Sequence, residues 1–176
     1  MKTKKKSKIV SKVLSRLGQF LLIAVILVCI PLTIPRFFGY EVYNVVSGSM
    51  EPAIMTGSLV YIKTTEPAQI EEGDVIAFYS PNNPEAVITH RVVENQSASK
   101  EFITKGDANA TEDPTPIPYT HLIGSVELTI PYMGNLLAGF VSEQGKIAVI
   151  GIVVFSVILQ IISSLLDKMN EKKSEE

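Results

Sequence analysis

Residues 44–62 read NVVSGSMEPAIMTGSLVYI, and this stretch decides how the middle of the chain folds. Both of its ends are rich in β-branched residues, which favour strands. Between them Ser47, Gly48 and Ser49 interrupt the pattern, and a Met-Glu-Pro turn follows. Glycine permits backbone conformations that β-branched residues forbid, so the break puts Ser49 on a bend where its hydroxyl is accessible. The simplest interpretation is a hairpin turn in a β domain, since serine before a turn commonly only hydrogen-bonds the backbone.

The same alternation of strand-like runs and turn residues continues through the middle of the chain. Short β-branched runs are separated by clusters of Gly, Pro and Asn such as SPNNPE and NATEDPTPIP. No stretch of residues 36–146 is periodic at 3.6 residues over the length of a helix. We therefore predict an antiparallel, all-β domain over residues 36–129. Its predicted strands are 42–46, 59–63, 75–79, 87–93, 102–105 and 123–129.

Two apolar stretches without charged side chains flank this domain. Residues 147–166, IAVIGIVVFSVILQIISSLL, are as long as a helix that crosses the hydrocarbon layer requires. Residues 20–35 are shorter, and a lysine-rich leader before a short apolar run is also typical of a cleavable signal peptide. No small-x-small cleavage motif follows closely, so we favour an uncleaved transmembrane anchor. Pro31 should kink this helix or end its regular part.

Charge placement predicts the orientation of the two anchors. The leader, residues 1–19, is basic and contains no acidic residue, whereas the segment between the anchors has more acidic than basic residues. Cytoplasmic flanks hold the excess of Lys and Arg. We therefore expect the leader and the tail, residues 167–176, to be cytoplasmic and the β domain to be extracytoplasmic. Beside an apolar helix, a basic leader is better explained by contact with anionic lipid than with nucleic acid. Its basic residues are Lys2, Lys4, Lys5, Lys6, Lys8, Lys12 and Arg16.

Residues 130–146, IPYMGNLLAGFVSEQGK, connect the β domain to the second anchor. They are apolar, but they have neither the pattern of a strand nor the length of a full span. We expect this connector to lie at the membrane surface, with Tyr132 and Phe140 in the interfacial zone.

A serine nucleophile requires a base, and the base requires a group that orients it. The candidate bases are His90, in VITHRVVE, and His121, which follows a proline-rich loop. Alternation along the predicted strand puts His90 on the same face as apolar neighbours, a position equally typical of a core histidine. The candidate orienting acids are Asp107 and Asp113 in TKGDANATEDP, although Asp after Gly is also a common turn residue. The residue types alone leave both interpretations open.

Taken together, the motifs resemble those of type I signal peptidases. SGSMEP, GSLVYI, EEGDVIAFYS, ITHRVV, TKGDANATED and LIGSV follow one another at about the spacing of one branch of that family. This branch occurs in the endoplasmic reticulum, in archaea and in spore-forming Gram-positive bacteria. The resemblance implies a signal-peptidase-like β fold with one N-terminal and one C-terminal transmembrane helix. It also implies a membrane-bound serine endopeptidase that removes signal peptides from secretory preproteins, without metal or cofactor.

The resemblance further implies roles for individual residues. Ser49 matches the nucleophile, and Ser47 matches a hydroxyl that helps the Ser49 backbone N–H stabilise the oxyanion. His90 stands where the typical bacterial branch has a lysine base, and histidine, with a pKa of about 6.5, needs less adjustment to act as a base. Asp107 and Asp113 both match acids of the Ser-His branch. We prefer Asp113 as the partner of the histidine, which leaves Asp107 to shape the site.

This resemblance also carries expectations about the substrate. The apolar part of a signal peptide would lie in the bilayer, and its cleavage region would bind as an added strand. Shallow pockets would accept small side chains at the first and third positions before the cut. The sequence does not indicate whether partner subunits are required.

Three alternatives and one question of location remain open at this stage. The alternatives are a Ser-Lys peptidase, a membrane-tethered, non-catalytic β domain that binds envelope partners, and a family member that keeps the fold but has lost its activity. The sequons at Asn95 and Asn109 would be glycosylated only in an endoplasmic reticulum. A glycan on Asn109, beside the acidic loop, would obstruct the site, so we favour a prokaryotic plasma membrane.

Overall fold

The structure is a computed structural model that describes the backbone of residues 2–175 and the side chains of residues 8–170. Several of the charged residues that predict the membrane orientation are in residues 1–7 and 171–176. Their side chains lie outside the described residues, so the orientation remains a prediction.

One compact unit, Leu32–Ala138, contains seven strands in a single sheet. Across the sheet, neighbouring strands are antiparallel, as the strand pattern predicts. The strands are β1 Tyr40–Asn44, β2 Leu59–Lys63, β3 Val75–Ser80, β4 Asn83–Gln96, β5 Glu101–Lys105, β6 Ile117–Pro118 and β7 Leu122–Ile130. Their order across the sheet is β1-β2-β7-β3-β4-β5-β6. Short 3₁₀ turns cover Pro35–Phe38, Pro67–Gln69 and Tyr119–His121.

The observed strands differ from the predicted ones mainly at their ends. β2 has the predicted bounds, but β1 ends two residues before the predicted limit, because the chain leaves the ladder there on its way to Ser49. β4 starts at Asn83, inside the predicted turn SPNNPE, since a tighter turn suffices to reverse the chain after β3. β6 was not predicted because its two residues, Ile117 and Pro118, are too few to show the alternation of a strand.

The core of this unit consists of two clusters of buried apolar side chains. His90 and Val92 share one face of β4 and are 7% and 2% exposed, as strand alternation predicts. The first cluster contains Met50, Ile54, Val60, Ile62, Ala77 and Ile123. The second contains Ile70, Ile76, Phe78, Val92, Phe102 and Ile117.

The connector between β7 and the C-terminal helix forms a second helix, α2, over Met133–Val141. This helix was not predicted, because no stretch of residues 36–146 shows helical periodicity over the length of a helix. A helix of nine residues is too short to show a clear period, and it depends on tertiary packing for its stability. Here a β-carbon on Gly134 would lie 2.4 Å from the Ser58 carbonyl oxygen, so only glycine allows this close approach.

The other compact unit joins the residues up to Pro31 with those from Gly139 onward. It contains α1, Lys2–Thr33, and α3, Glu143–Glu175. Helical stretches at Lys8–Phe38 and Glu143–Asn170 are long and apolar enough to cross a membrane. Pro31 lies within α1, which ends only two residues further on.

Small and polar side chains line the contact between α1 and α3. Ser11 Oγ donates to Asp167 Oδ1 at 2.5 Å, and Ser163 Oγ donates to the Ser11 carbonyl at 2.7 Å. Seven residues further along α1, a β-carbon on Gly18 would lie 2.9 Å from the Ser156 carbonyl oxygen. Later residues of α1 thus contact earlier residues of α3, so the two helices are antiparallel.

Candidate active site

Ser49 is held by a loop that is anchored in the core directly behind it. Met50 is 2% exposed and Ile54 is 5% exposed. The Glu51 carboxylate accepts hydrogen bonds from the Thr56 N–H at 3.1 Å and from its hydroxyl at 2.8 Å. These bonds keep the pKa of Glu51 below its usual value. The β-branched run therefore breaks at Ser-Gly-Ser because the chain must turn into the core after the serine.

Two hydrogen-bond donors lie beside the Ser49 hydroxyl. Ser47 Oγ is 3.5 Å from Ser49 Oγ. In the part of the chain that the structure describes, the Ser49 N–H makes no backbone hydrogen bond. A free backbone N–H and a neighbouring hydroxyl are the kind of donors that stabilise a developing oxyanion.

His90 is held on two sides. Its Nδ1 lies 2.6 Å from Asp113 Oδ2, and the same carboxylate oxygen accepts a hydrogen bond from Thr104 Oγ1 at 2.6 Å. The Phe78 ring packs edge-on against the imidazole, with ring centres 6.2 Å apart. Contact with the carboxylate fixes the tautomer that carries a proton on Nδ1 and leaves Nε2 as the acceptor.

Asp107 has a different partner. Arg91 donates to it through Nε at 2.8 Å and Nη2 at 2.6 Å, and Arg91 Nη1 donates to the Gly73 carbonyl at 2.7 Å. The bidentate hydrogen bonds from Arg91 hold the pKa of Asp107 below its usual value. Because His90 and Arg91 are successive residues of β4, their side chains point to opposite faces. The two acids therefore reach different partners.

Gly106 lies between the serine and the histidine. A β-carbon at this position would lie 2.6 Å from the Ser49 carbonyl oxygen and 3.0 Å from His90 Nε2. The Ala108 N–H donates to the same Ser49 oxygen at 2.9 Å. The turn in TKGDAN thus brings the backbone of the serine next to the free nitrogen of the imidazole.

The structure brings the Ser49 backbone to the imidazole, but it does not join the Ser49 hydroxyl to the ring. Among the described residues, Ser49 Oγ makes its side-chain contact with Ser47, and no hydrogen bond joins it to His90 Nε2. Catalytic hydrogen bonds are often long in unliganded sites and shorten when substrate binds. His121, the other candidate base, lies elsewhere, with Nδ1 3.1 Å from the Tyr79 carbonyl.

Three residues of this site were not singled out from the sequence: Thr104, Arg91 and Gly106. Thr104 pairs with Val92 across β4 and β5, so it lies on the face of the histidine. A correct strand register would have found it. Within the described residues, no group of three or more His, Cys, Asp or Glu side chains is arranged to hold a metal ion.

A cleft of about 300 Å³ leads to the two serines. Beside it, residues 87–89 of β4 pair with β3 on one edge, whereas β5 pairs only with the part of β4 from Arg91 onward. In the described chain, the second edge of residues 87–89 is therefore unpaired. The cleft is lined by Tyr43, Asn44, Val45, Val46, Ser47, Ser49, Met50, Ile54, Val60, Glu85, Val87, Ile88 and Thr89.

Comparison with known proteins identifies the family. The family model described as signal peptidase, peptidase S26, matches residues 14–94, which include both serines and the histidine. The chain is 43% identical over 86 residues to signal peptidase I W of Bacillus subtilis, covering 47% of this chain but only 44% of that protein. It is 32% identical over 127 residues to the signal peptidase complex catalytic subunit SEC11 of Pyricularia oryzae, covering 66% of this chain and 73% of that subunit.

A second fungal SEC11 subunit, from Lachancea thermotolerans, is 33% identical over 132 residues and is covered over 75% of its length. These matches confirm the resemblance to the branch of type I signal peptidases that includes the endoplasmic-reticulum enzymes. The chain therefore belongs to the signal peptidase family S26, serine endopeptidases that remove signal peptides from preproteins.

Proposed function

We propose that this chain is a membrane-anchored signal peptidase that cleaves secretory preproteins with a Ser49-His90-Asp113 triad. The observation that carries the proposal is the 2.6 Å contact between His90 Nδ1 and Asp113 Oδ2, with His90 Nε2 beside the Ser49 backbone. A carboxylate that holds an imidazole beside a serine is the arrangement that acyl transfer by a serine nucleophile uses.

The reaction begins when Ser49 Oγ attacks the carbonyl carbon before the scissile bond and His90 Nε2 takes the hydroxyl proton. The Ser49 N–H and the Ser47 hydroxyl then donate to the oxyanion. His90 passes its proton to the leaving amine, and the mature protein departs. Water repeats the sequence to release the signal peptide, while Asp113 stabilises each imidazolium that forms.

The unpaired edge of residues 87–89 supports binding of the cleavage region as an added strand. Such a strand would run along the cleft and bring a backbone carbonyl to Ser49. Branched apolar side chains, among them Val45, Val87 and Ile88, line this cleft. An apolar lining of this kind supports the expectation of small side chains at the first and third positions before the cut.

The helical unit supports an anchored topology. Two helices that are long and apolar enough to cross a membrane pack antiparallel, so the start of α1 and the end of α3 lie at the same end of the pair. With the basic leader at that end, the positive-inside rule puts both termini in the cytoplasm and residues 36–129 outside. The connector, with Tyr132 71% exposed and Leu136 57% exposed, then lies in the interfacial zone.

The surroundings of the two sequon asparagines support the location of this protein in a prokaryotic plasma membrane, where the sequons are not glycosylated. The Asn95 amide donates to the carbonyls of Pro67 at 3.0 Å and Ile70 at 2.8 Å, and the Tyr119 hydroxyl donates to its oxygen. A glycan would replace one of the two amide hydrogens of Asn95, so at least one of these donated bonds would be lost. The Asn109 amide lies beside the space between Ser49 and His90, where a glycan would block the site.

The test is to reconstitute the full chain in lipid vesicles with a model preprotein and to follow release of the mature protein. Ser49→Ala and His90→Ala should each abolish processing while the protein remains inserted and folded. A serine-directed covalent probe should label wild type but not Ser49→Ala. Normal processing by either variant would overturn the proposed triad, and a wild type that neither cleaves nor reacts would support a non-catalytic, partner-binding β domain instead.

A further inference from the structure

The turn formed by residues 106–109 is attached directly to the proposed nucleophile. The Asn109 N–H donates to the Gly106 carbonyl at 2.9 Å and closes the turn. Within it, the Ala108 N–H donates to the Ser49 carbonyl at 2.9 Å. The backbone of Asn109 is therefore held near Ser49, although the two residues lie in different loops.

Three polar atoms surround the position that a β-carbon on Gly106 would take. From the position of a β-carbon on Gly106, the Ser49 carbonyl oxygen is 2.6 Å away, Asn109 Nδ2 is 2.8 Å away and His90 Nε2 is 3.0 Å away. His90 is only 7% exposed, whereas Asn109 is an exposed residue. An exposed amide thus lies close to the free nitrogen of a nearly buried base.

The cluster formed by these three polar atoms is separate from the cleft proposed to hold the signal peptide. Ser47 and Ser49 line that cleft, but His90, Gly106 and Asn109 do not. Ser49 therefore has the substrate cleft on one side and the imidazole with the Asn109 amide on another. In acyl transfer, the amine leaves and the hydrolytic water enters on the side of the general base.

We propose that Asn109 is a positioning residue for the water that hydrolyses the acyl-enzyme. This inference rests on the proposed function of Ser49 and His90. The Asn109 amide N–H donates to the water oxygen, and the water donates one hydrogen to His90 Nε2. The remaining lone pair of the oxygen is then directed at the acyl carbon.

The step balances without any further reactant. A bond forms between the water oxygen and the acyl carbon, and the water proton moves to His90 Nε2. When the tetrahedral intermediate collapses, the bond between Ser49 Oγ and the acyl carbon breaks. The proton on His90 passes to Ser49 Oγ, and the signal peptide leaves as a carboxylic acid.

The experiment compares wild type with Asn109→Ala as the full chain in lipid vesicles, with a model preprotein as substrate. Acylation releases the mature protein and deacylation releases the signal peptide, so the two products report the two steps separately. In Asn109→Ala, we expect a burst of mature protein equal to the enzyme present, followed by steady turnover roughly 10²-fold slower than wild type. Acid quenching and mass spectrometry should then find the signal peptide ester-linked to Ser49.

Two further measurements separate this role from a structural one. Hydroxylamine, a stronger nucleophile than water, should restore turnover in Asn109→Ala and have little effect on wild type. Thr111→Ala, at an exposed position of the same loop, should retain wild-type kinetics. Asn109→Ser, which keeps a donor on a shorter side chain, should fall between Asn109→Ala and wild type.

The inference is overturned if Asn109→Ala turns over like wild type, or if it slows the first turnover as much as the steady state. It is also overturned if no ester-linked peptide accumulates. Ser49→Ala is measured in parallel to distinguish this failure from failure of the triad. When Ser49→Ala is inactive and Asn109→Ala shows no burst, only the role of Asn109 is lost. When Ser49→Ala is active, the triad itself is wrong.

Discussion

Asp113 Oδ2 lies 2.6 Å from both His90 Nδ1 and Thr104 Oγ1. One carboxylate oxygen is thus held by a β5 hydroxyl and in turn holds the imidazole. Asp113→Asn should keep the shape of the side chain but present an N–H or a weaker acceptor to the His90 ring. The substitution therefore favours the tautomer that carries its proton on Nε2, which cannot accept the Ser49 proton. We expect kcat/KM for a model preprotein to fall by roughly 10³- to 10⁴-fold.

Thr104→Val is the matched control for this prediction, because it removes only the hydrogen bond from the hydroxyl. The carboxylate still faces the imidazole, so we expect a loss of about tenfold, as for a single hydrogen bond to a charged group. Equal losses for Asp113→Asn and Thr104→Val would show that the contact serves packing and does not set the tautomer.

Gly106→Ala should inactivate the enzyme while leaving the sheet intact. The added methyl would lie 2.6 Å from the Ser49 carbonyl oxygen and 3.0 Å from His90 Nε2, so the serine and the imidazole must separate. A displacement of this size at a reacting centre costs on the order of 10²-fold or more in rate. Gly139→Ala is the control, because nothing lies within 4 Å of its added carbon. Similar activity of both variants would contradict the geometry around position 106.

Ser47→Ala should lower kcat with little change in KM. Its hydroxyl lies 3.5 Å from Ser49 Oγ, and we expect it to donate to the oxyanion only as charge develops. Loss of one such donor lowers kcat by roughly 10²- to 10³-fold. Single-turnover and steady-state cleavage across preprotein concentrations separate the two constants. A rise in KM at constant kcat would assign Ser47 to substrate binding.

The Asp107–Arg91 pair should stabilise the domain in a pH-dependent way. Arg91 lowers the pKa of Asp107 in the folded state, so the stabilising effect is fully present above the unfolded value of about 3.9 and is lost as the pH falls through the folded value. At pH 7, Asp107→Asn should therefore unfold at a lower temperature than wild type. The difference should shrink as the pH falls below about 4.

Thermal unfolding in detergent from pH 7 to pH 3 measures this difference. Glu112→Gln, on the same loop and exposed, serves as the control and should differ little from wild type at any of these pH values. A gap between wild type and Asp107→Asn that stays constant with pH would mean that the aspartate acts through its shape and not through its charge.

The local patterns of the sequence were sufficient for six of the seven strands and for the face of β4 on which the histidine lies. Alternation along β4 follows from backbone geometry, so the burial of His90 beside Val92 could be predicted without any tertiary information. The helix at Met133–Val141 was missed because its nine residues are stabilised by packing at Gly134 and Leu137, which no local period reveals.

By itself, the sequence determined the chemical types at the site, the two apolar segments and the family to which their order belongs. Only the tertiary structure decided which carboxylate faces the imidazole. Asp107 and Asp113 lie in one turn-rich loop, where residue type and spacing do not set direction. The direction comes from β4, whose successive residues His90 and Arg91 point to opposite faces, and from the path of the loop past them. That path is set by pairing between strands that are distant in sequence, so the local propensities of the residues could not predict it.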